Sequence, residues 1–325
     1  MKILIKNILI VTQNNIREVI SRGYISINGD TISYVGQSLP DKVSKNIKII
    51  NGDGLMAIPG LINTHVHLGE SIYKFIIPRW KGSLSSYLKT TNALVEQNPI
   101  IEKQRALVCD YTIFKLIKTG TSTMAGGRTS KASERWGLRN ISGYILMDSP
   151  KLKKYLVNIP LQFEQEYKKI KQLNSSLPAI FIHSLATIPS IHKLREVASL
   201  IRRHPETRLM IHIAEEPKER SIIKKRWGVS PLSVLQKTKL LGPKTVLIHG
   251  IYFTNKELSL IKKSGAAIVH CPSSNIATTG RTANLHRIVE MDIPFAIATD
   301  GLITAGSINV LEEARFCFSY HNSRK

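Results

Sequence analysis

The sequence predicts an α/β fold: a (β/α)8 TIM-like barrel over residues 58–325, behind a small β-domain over residues 1–57. Three observations predict it. Eight strand-like apolar runs alternate with amphipathic stretches from Ile58 onward, and eight such units close a parallel barrel. Four runs end in residues that can hold a divalent metal ion or its water: Thr64-His65-Val66-His67, Ile211-His212-Ile213-Ala214-Glu215, Leu247-Ile248-His249 and Ala298-Thr299-Asp300. Side chains on separate strand ends converge only if the strands form a closed barrel, whose active sites lie at the C-terminal rim.

Taken in order, residues 1–57 read as strands. Ile3–Thr12 alternates imperfectly, and Tyr24–Asn28 and Thr31–Val35 flank Gly29-Asp30, a hairpin signal. A further strand is expected at Ile47–Ile50, after which Gly52-Asp53-Gly54 turns the chain. Barrel strands are expected at 58–66, 121–126, 142–148, 179–185, 208–214, 245–251, 266–271 and 294–299. Helices are expected at 100–118, 161–173, 190–203, 254–264 and 284–290, with the eighth barrel helix over Ser307–Tyr320. Apolar residues three and four apart, as in Leu107, Tyr111, Phe114 and Ile117, mark one face of such a helix. The segment 68–99 is too long for a plain loop and is expected to cover the barrel mouth.

At 325 residues the chain can hold one large barrel and a small appendage, and 42% apolar content fits a globular protein. Its 46 basic residues outnumber 23 acidic ones, for a formal charge of +23. Such an excess attracts anions, nucleic acid among them. Here the basic residues are scattered, the densest cluster (Lys224-Lys225-Arg226) sits in an expected helix, and no nucleic-acid-binding motif is present. Nucleic-acid binding is therefore set aside as the main function. Cys109, Cys271 and Cys317 show no disulfide or metal-knuckle spacing, which suits a reducing cytoplasm. The N-terminus is interrupted by Lys6 and Asn7 and reads as a strand, not a signal peptide. No stretch approaches the roughly 20 apolar residues that cross a bilayer.

Neutral imidazole and carboxylate are the ligands a zinc-like ion prefers. His65 and His67, two apart on a strand, point to one face. A lone His-x-His is a weak signal; it gains weight because His212 and Asp300 recur at equivalent strand ends. An aspartate closing an apolar strand is costly unless paired or metal-bound. Glu215, three residues past His212, is placed to carry a proton beside a ligand without being one. Glu216 next to it serves as the contrasting case, a solvated acid at a helix start. His249 is open to three roles: ligand, hydrogen-bond donor to the water, or polarising acid. His183 and His270 end the fourth and seventh runs.

Together these motifs resemble the amidohydrolase superfamily, and within it the deaminase and chlorohydrolase branch of S-adenosylhomocysteine, methylthioadenosine, aminofutalosine and guanine deaminases and triazine hydrolases. The resemblance rests on Pro59-Gly60-Leu61-Ile62-Asn63-Thr64-His65-Val66-His67, His212-Ile213-Ala214-Glu215, His270-Cys271-Pro272-Ser273-Ser274-Asn275 and Thr299-Asp300-Gly301, and it runs from residue 3 to about 315. It implies a metal-dependent hydrolytic deaminase of an aminated heterocycle, an adenosine-like purine nucleoside derivative first, with a triazine or pyrimidine as the alternative. It implies that His65, His67, His212 and Asp300 bind one divalent ion, zinc or else iron. Asp300 would accept a proton from the attacking water, Glu215 would shuttle one to a ring nitrogen, and His249 would contact the hydroxide or developing oxygen. No lysine on the fourth strand is placed like the bridging ligand of two-metal branches. The His-x-Glu and Pro-Cys-x-x-Cys signature of the other zinc deaminases is also absent. His183 matches a substrate-contacting family position. Trp80 and Arg79 in the expected lid could stack on or pair with a small-molecule substrate, and Arg128, just past the second barrel strand, could meet a carboxylate or phosphate.

One departure concerns the small β-domain. In the resembled family the chain returns after the eighth strand to complete it, whereas this sequence ends at Lys325. The N-terminal strands, with Ile5, Ile8, Ile10, Ile25 and Ile32, are then expected to lack partners. Oligomers through this sheet, or a second chain supplying the missing strands, are the expected remedies. Of the readings of a different class, an inactive homologue is opposed by the intact ligand set, and a basic binding scaffold by the lack of a recognised binding motif.

Overall fold

A computed structural model describes residues 2–40, 46–69, 71–74, 83–98, 102–147 and 154–323. The chain divides into two compact units, Met1–Gly60 and Leu61–Lys325. Trp80 and Arg79, expected in the lid, lie outside the described residues.

The first unit is a five-stranded sheet. β1 (Lys2–Val11) pairs antiparallel with β2 (Val19–Asn28), and β2 pairs antiparallel with β3 (Thr31–Gly36) across the turn at Gly29, whose φ is +64°. β4 (Lys48–Asn51) and β5 (Met56–Ala57) both run parallel to β1. The imperfect alternation of β1 has a local cause. Asn7 takes a φ of 59° and the register against β2 slips between Lys6 and Ile8, a bulge that moves the next side chains to new faces. Ile8, Ile10, Ile20 and Ile25 then share one buried cluster, with Ile5 packed against it, while Ile32 is exposed.

The second unit holds eight parallel strands with helices outside. In spatial sequence they are β6 (Leu61–Asn63), β8 (Thr121–Ala125), β9 (Arg139–Leu146), β10 (Ser176–Ile182), β11 (Arg208–Ile213), β12 (Thr245–His249), β13 (Ala267–His270) and β14 (Phe295–Ile297). The first and last strands meet through their continuations: β7 (Val66–His67) pairs with β15 (Asp300–Gly301), and the Asp300 amide donates to the His65 carbonyl at 3.0 Å. Asn63 reinforces the seam, donating to Thr299 Oγ1 at 2.8 Å and accepting from the Thr299 amide at 3.2 Å. The single strand expected over 58–66 is thus two short pieces, broken at Thr64-His65 where the chain crosses the seam.

Two apolar layers follow from the two-residue period of a strand. Phe181, Met210, Ile248, Val269 and Ala298 fill the barrel interior. Their neighbours Ile180, Ile182, Leu209, Ile211, Leu247 and Ile268 face outward onto Leu194, Val197, Ile223, Leu258 and Ile261 of the helices. His212 shares the parity of Met210 and turns inward, while Asp300, past the end of β14 and itself left-handed at φ 61°, is carried to the same centre by the β15 pairing with β7. His270 shares the parity of Ile268 and turns outward.

The helices form where expected, at Glu102–Lys118, Ile159–Lys171, Ile191–Arg203, Asn255–Ser264, Leu285–Glu290 and Val310–Asn322. Leu84–Gln97 supplies a helix inside the long segment after β7, and Pro217–Trp227 one directly after Glu216. Glu102–Lys118 differs from expectation in its facing. An apolar stripe ordinarily meets a core, yet Leu107, Tyr111, Phe114 and Ile117 are exposed. A second stripe, Ile113 and Leu116, packs against Val66 and Met124 instead, with Thr112 hydrogen-bonded to the Leu68 carbonyl. Among the described residues no helix is long and apolar enough to cross a membrane.

Candidate metal centre and active site

Four donor atoms converge at the C-terminal end of the barrel. His65 Nε2 lies 3.0 Å from His67 Nε2, 3.1 Å from His212 Nε2 and 3.2 Å from Asp300 Oδ1, and His67 Nε2 lies 3.1 Å from the same Asp300 oxygen. Two ligands about 2.0–2.1 Å from one ion, at coordination angles near 90–110°, lie roughly 2.9–3.4 Å apart. Tautomers strengthen the fit. His212 Nδ1 is 2.8 Å from the His183 carbonyl, which only accepts, so Nδ1 carries the proton and Nε2 presents a bare lone pair to the cluster. The donor set and its spacing suit a divalent metal ion.

Electrostatics favour ligand forms. Burial pulls His65 down to about 4, and burial with neighbouring imidazoles holds His212 well below its usual value, so both are neutral donors. Burial alone would raise Asp300, but hydrogen bonds to His65 and His67 outweigh it and keep the carboxylate ionised. Ser274 Oγ donates to the other carboxylate oxygen at 2.5 Å.

Around this cluster sit the candidate proton carriers. Glu215 Oε1 is 3.6 Å from His249 Nε2, and burial raises the Glu215 pKa, which suits a group that must hold and then give up a proton. By strand parity His249 follows Leu247 outward. Its φ of 75° reverses that, and the ring stacks on His212 with centroids 5.2 Å apart. His65, His212 and His249 also lie close enough to form a donor group of their own, so the geometry leaves His249 at the cluster's edge. Asn275 Oδ1 fixes the ring from behind, 2.8 Å from His249 Nδ1. Ala214 and Asp300 share the left-handed backbone, with φ of 53° and 61°. Such strain at non-glycine residues collects where structure serves chemistry.

His183 follows β10, and its ring meets His212 edge-on at 5.3 Å, beside the donors. Arg128 lies exposed in the loop after β8, at the same end of the barrel. Glu216 corrects its reading as a solvated acid. Its carboxylate accepts from the Ser85 amide at 3.1 Å and from the Ser85 hydroxyl, holding the N-terminus of Leu84–Gln97 against the Glu215 loop.

Glu219 escaped the sequence reading. It is buried, accepts from the Ala214 amide at 2.6 Å and receives Ser184 Oγ at 3.4 Å, so it braces the strained turn that aims Glu215. An acid in the first turn after Glu216-Pro217 was the available signal. Burial pushes Glu219 up to about 8. Below the usual 4.5 both folded and unfolded chains keep this proton, and between 4.5 and about 8 only the folded chain does. Stability therefore falls as pH rises through that window, by up to roughly 1.4 kcal/mol per unit. Glu219→Gln should lack this slope. Urea unfolding of both proteins across the window checks it, and parallel pH profiles would refute the assignment.

Comparison with known proteins places these features. The amidohydrolase family profile matches residues 56–325. A 5-methylthioadenosine/S-adenosylhomocysteine deaminase from Clostridium tetani is 28% identical over 96% of this chain and 72% of its own length. A 5'-deoxyadenosine deaminase from Methanosphaera stadtmanae is 27% identical over 95% of this chain and 72% of its own. Among solved structures, an atrazine chlorohydrolase from Arthrobacter aurescens complexed with zinc superposes with a TM-score of 0.83 at 19% identity, over 97% of this chain and 75% of that one. With its barrel, its donor cluster and a profile match across the whole second unit, the chain belongs to the amidohydrolase family.

Proposed function

We propose that this chain is a metal-dependent deaminase that hydrolyses the amino group from an adenosine-like purine nucleoside derivative. The observation that carries the reading is one buried carboxyl with a raised pKa, Glu215, set beside a three-histidine, one-aspartate donor cluster. The deaminase relatives support the substrate class. We assign His65, His67, His212 and Asp300 as the ligands, and zinc as the ion, with iron the alternative. When bound, such an ion lowers the pKa of a coordinated water from 15.7 to about 7.

The chain's own residues do the rest. Asp300 takes a proton from the attacking water. Glu215 gives a proton to the ring nitrogen next to the amino-bearing carbon, so that carbon becomes electrophilic without a separated charge. His249, whose Nδ1 proton is held by Asn275, accepts through Nε2 from the hydroxyl of the attacking water and orients it. The amino group then gains the proton that Asp300 took from the water and leaves as ammonia, while the hydroxyl proton released as the carbonyl forms returns to Glu215. His183 and Arg128 are assigned to the substrate, His183 against the heterocycle and Arg128 toward an anionic substituent.

Ammonia release tests this on zinc-loaded protein, with a panel of aminopurine nucleosides, free aminopurines, aminopyrimidines and triazines. Turnover is expected with the nucleosides. Ammonia from none of them, at full metal content, would overturn the assignment, and chloride release from a chlorotriazine would move the chemistry to the other leaving group.

A further inference from the structure

We propose that His270, Cys317 and His321 form a second site, for a borderline-soft divalent ion of the zinc class, on the outer face of the barrel. The strand period turns His270 away from the catalytic centre, toward the helix Val310–Asn322. Cys317 and His321 stand four residues apart on that helix, hence on one face. Their donor atoms and one from His270 all lie within 4.8 Å of one another.

The closest pair has the spacing of shared ligands. His270 Nε2 and His321 Nε2 are 3.4 Å apart. Two imidazole nitrogens about 2.0–2.1 Å from one tetrahedral ion lie roughly 3.3–3.4 Å apart. The three residues are 0%, 2% and 9% exposed, so they form a built pocket and not a surface cluster. His321 also lines a cavity of about 450 Å³ with Gly280, Arg281, Thr282, Ala283 and Tyr320, which gives an ion its entry path. Thr282 Oγ1, 3.1 Å from His270 Nε2, stands where a fourth ligand or a bound water would be held. Binding would release the Cys317 thiol proton to solvent, since the thiolate is the ligand.

The site also connects to the catalytic end. As placed, Asn275 Oδ1 accepts from His249 Nδ1 and Asn275 Nδ2 donates to His270 Nδ1 at 3.4 Å, which leaves the His270 proton on Nε2. An ion on that Nε2 requires the proton on Nδ1 and hence an amide oxygen facing it. A half-turn of the Asn275 side chain supplies the oxygen, turns its NH2 toward His249 Nδ1 and moves the His249 proton to Nε2, the atom facing Glu215.

Cobalt loading of the purified chain tests the site without reference to activity. The catalytic donors contain no sulfur, so a thiolate-to-cobalt charge-transfer band in the near ultraviolet reports only the second site. The expected result is two ions per chain with this band. Cys317→Ser and His321→Asn should each lose the band and one ion, whereas Cys271→Ser should keep both. Two variants guard against one that folds poorly. A single ion per chain without the band, or a band that survives Cys317→Ser and disappears in Cys271→Ser, would overturn the site. So would a His249 proton that stays on Nδ1, by histidine nitrogen NMR, once the second ion is bound.

Discussion

Glu215→Gln is expected to keep its full metal content and to lose turnover by roughly 10²–10⁴-fold, the range for a removed general acid–base group. The amide matches the carboxyl in size, so the loop between Ala214 and Glu216 should hold its path: Glu219 still braces the Ala214 amide and Glu216 still holds Ser85. Only the capacity to carry a proton is removed. The loss should fall on kcat, with KM changed little, because a proton moved in the transition state adds little to ground-state binding. Metal analysis alongside steady-state kinetics makes the test. Near-normal turnover with metal retained would transfer the proton role to Asp300 or His249.

The barrel was legible because short, mostly apolar runs recur eight times between helical stretches, and because strand parity predicts the inward face of His212. His212 faces inward for the same reason as Met210, whereas Asp300 reaches the cluster from β15 with a left-handed backbone of its own. What was not legible has identifiable physical causes. His249 turns inward against its parity, since one left-handed backbone residue reverses the rule and its side chain gives no notice of that. Glu219 contributes through a hydrogen bond to a backbone amide five residues earlier, and Glu216 through a serine more than a hundred residues away, contacts that no local pattern encodes. The helix Glu102–Lys118 offers two apolar stripes, and periodicity cannot choose between Leu107-Tyr111-Phe114 and Ile113-Leu116. The cluster of Cys317 and His321 with His270 was hidden too. Its two halves lie on different elements, and only Cys317-x-x-x-His321 is visible as a helical pair.

Asp300→Asn should be at least as damaging, and for two separable reasons. Asparagine is nearly isosteric and, like aspartate, tolerates the left-handed backbone that Asp300 adopts at φ 61°. Its amide oxygen can still accept from Ser274, so the fold and the seam between β7 and β15 should survive. What disappears is the negative charge among neutral imidazoles. The ion should then be held more weakly, and at limiting metal the variant should be largely empty. Saturating metal restores occupancy but not a base, because an amide cannot take the proton of the attacking water. Turnover at saturating metal is therefore expected to stay down by roughly 10²–10⁴-fold. Titrating metal into the variant while following both bound ion and ammonia release separates the two effects. Full turnover at saturating metal would show that Asp300 acts only as a ligand, and would leave His249, stacked on His212 and 3.6 Å from Glu215, as the group that takes the proton.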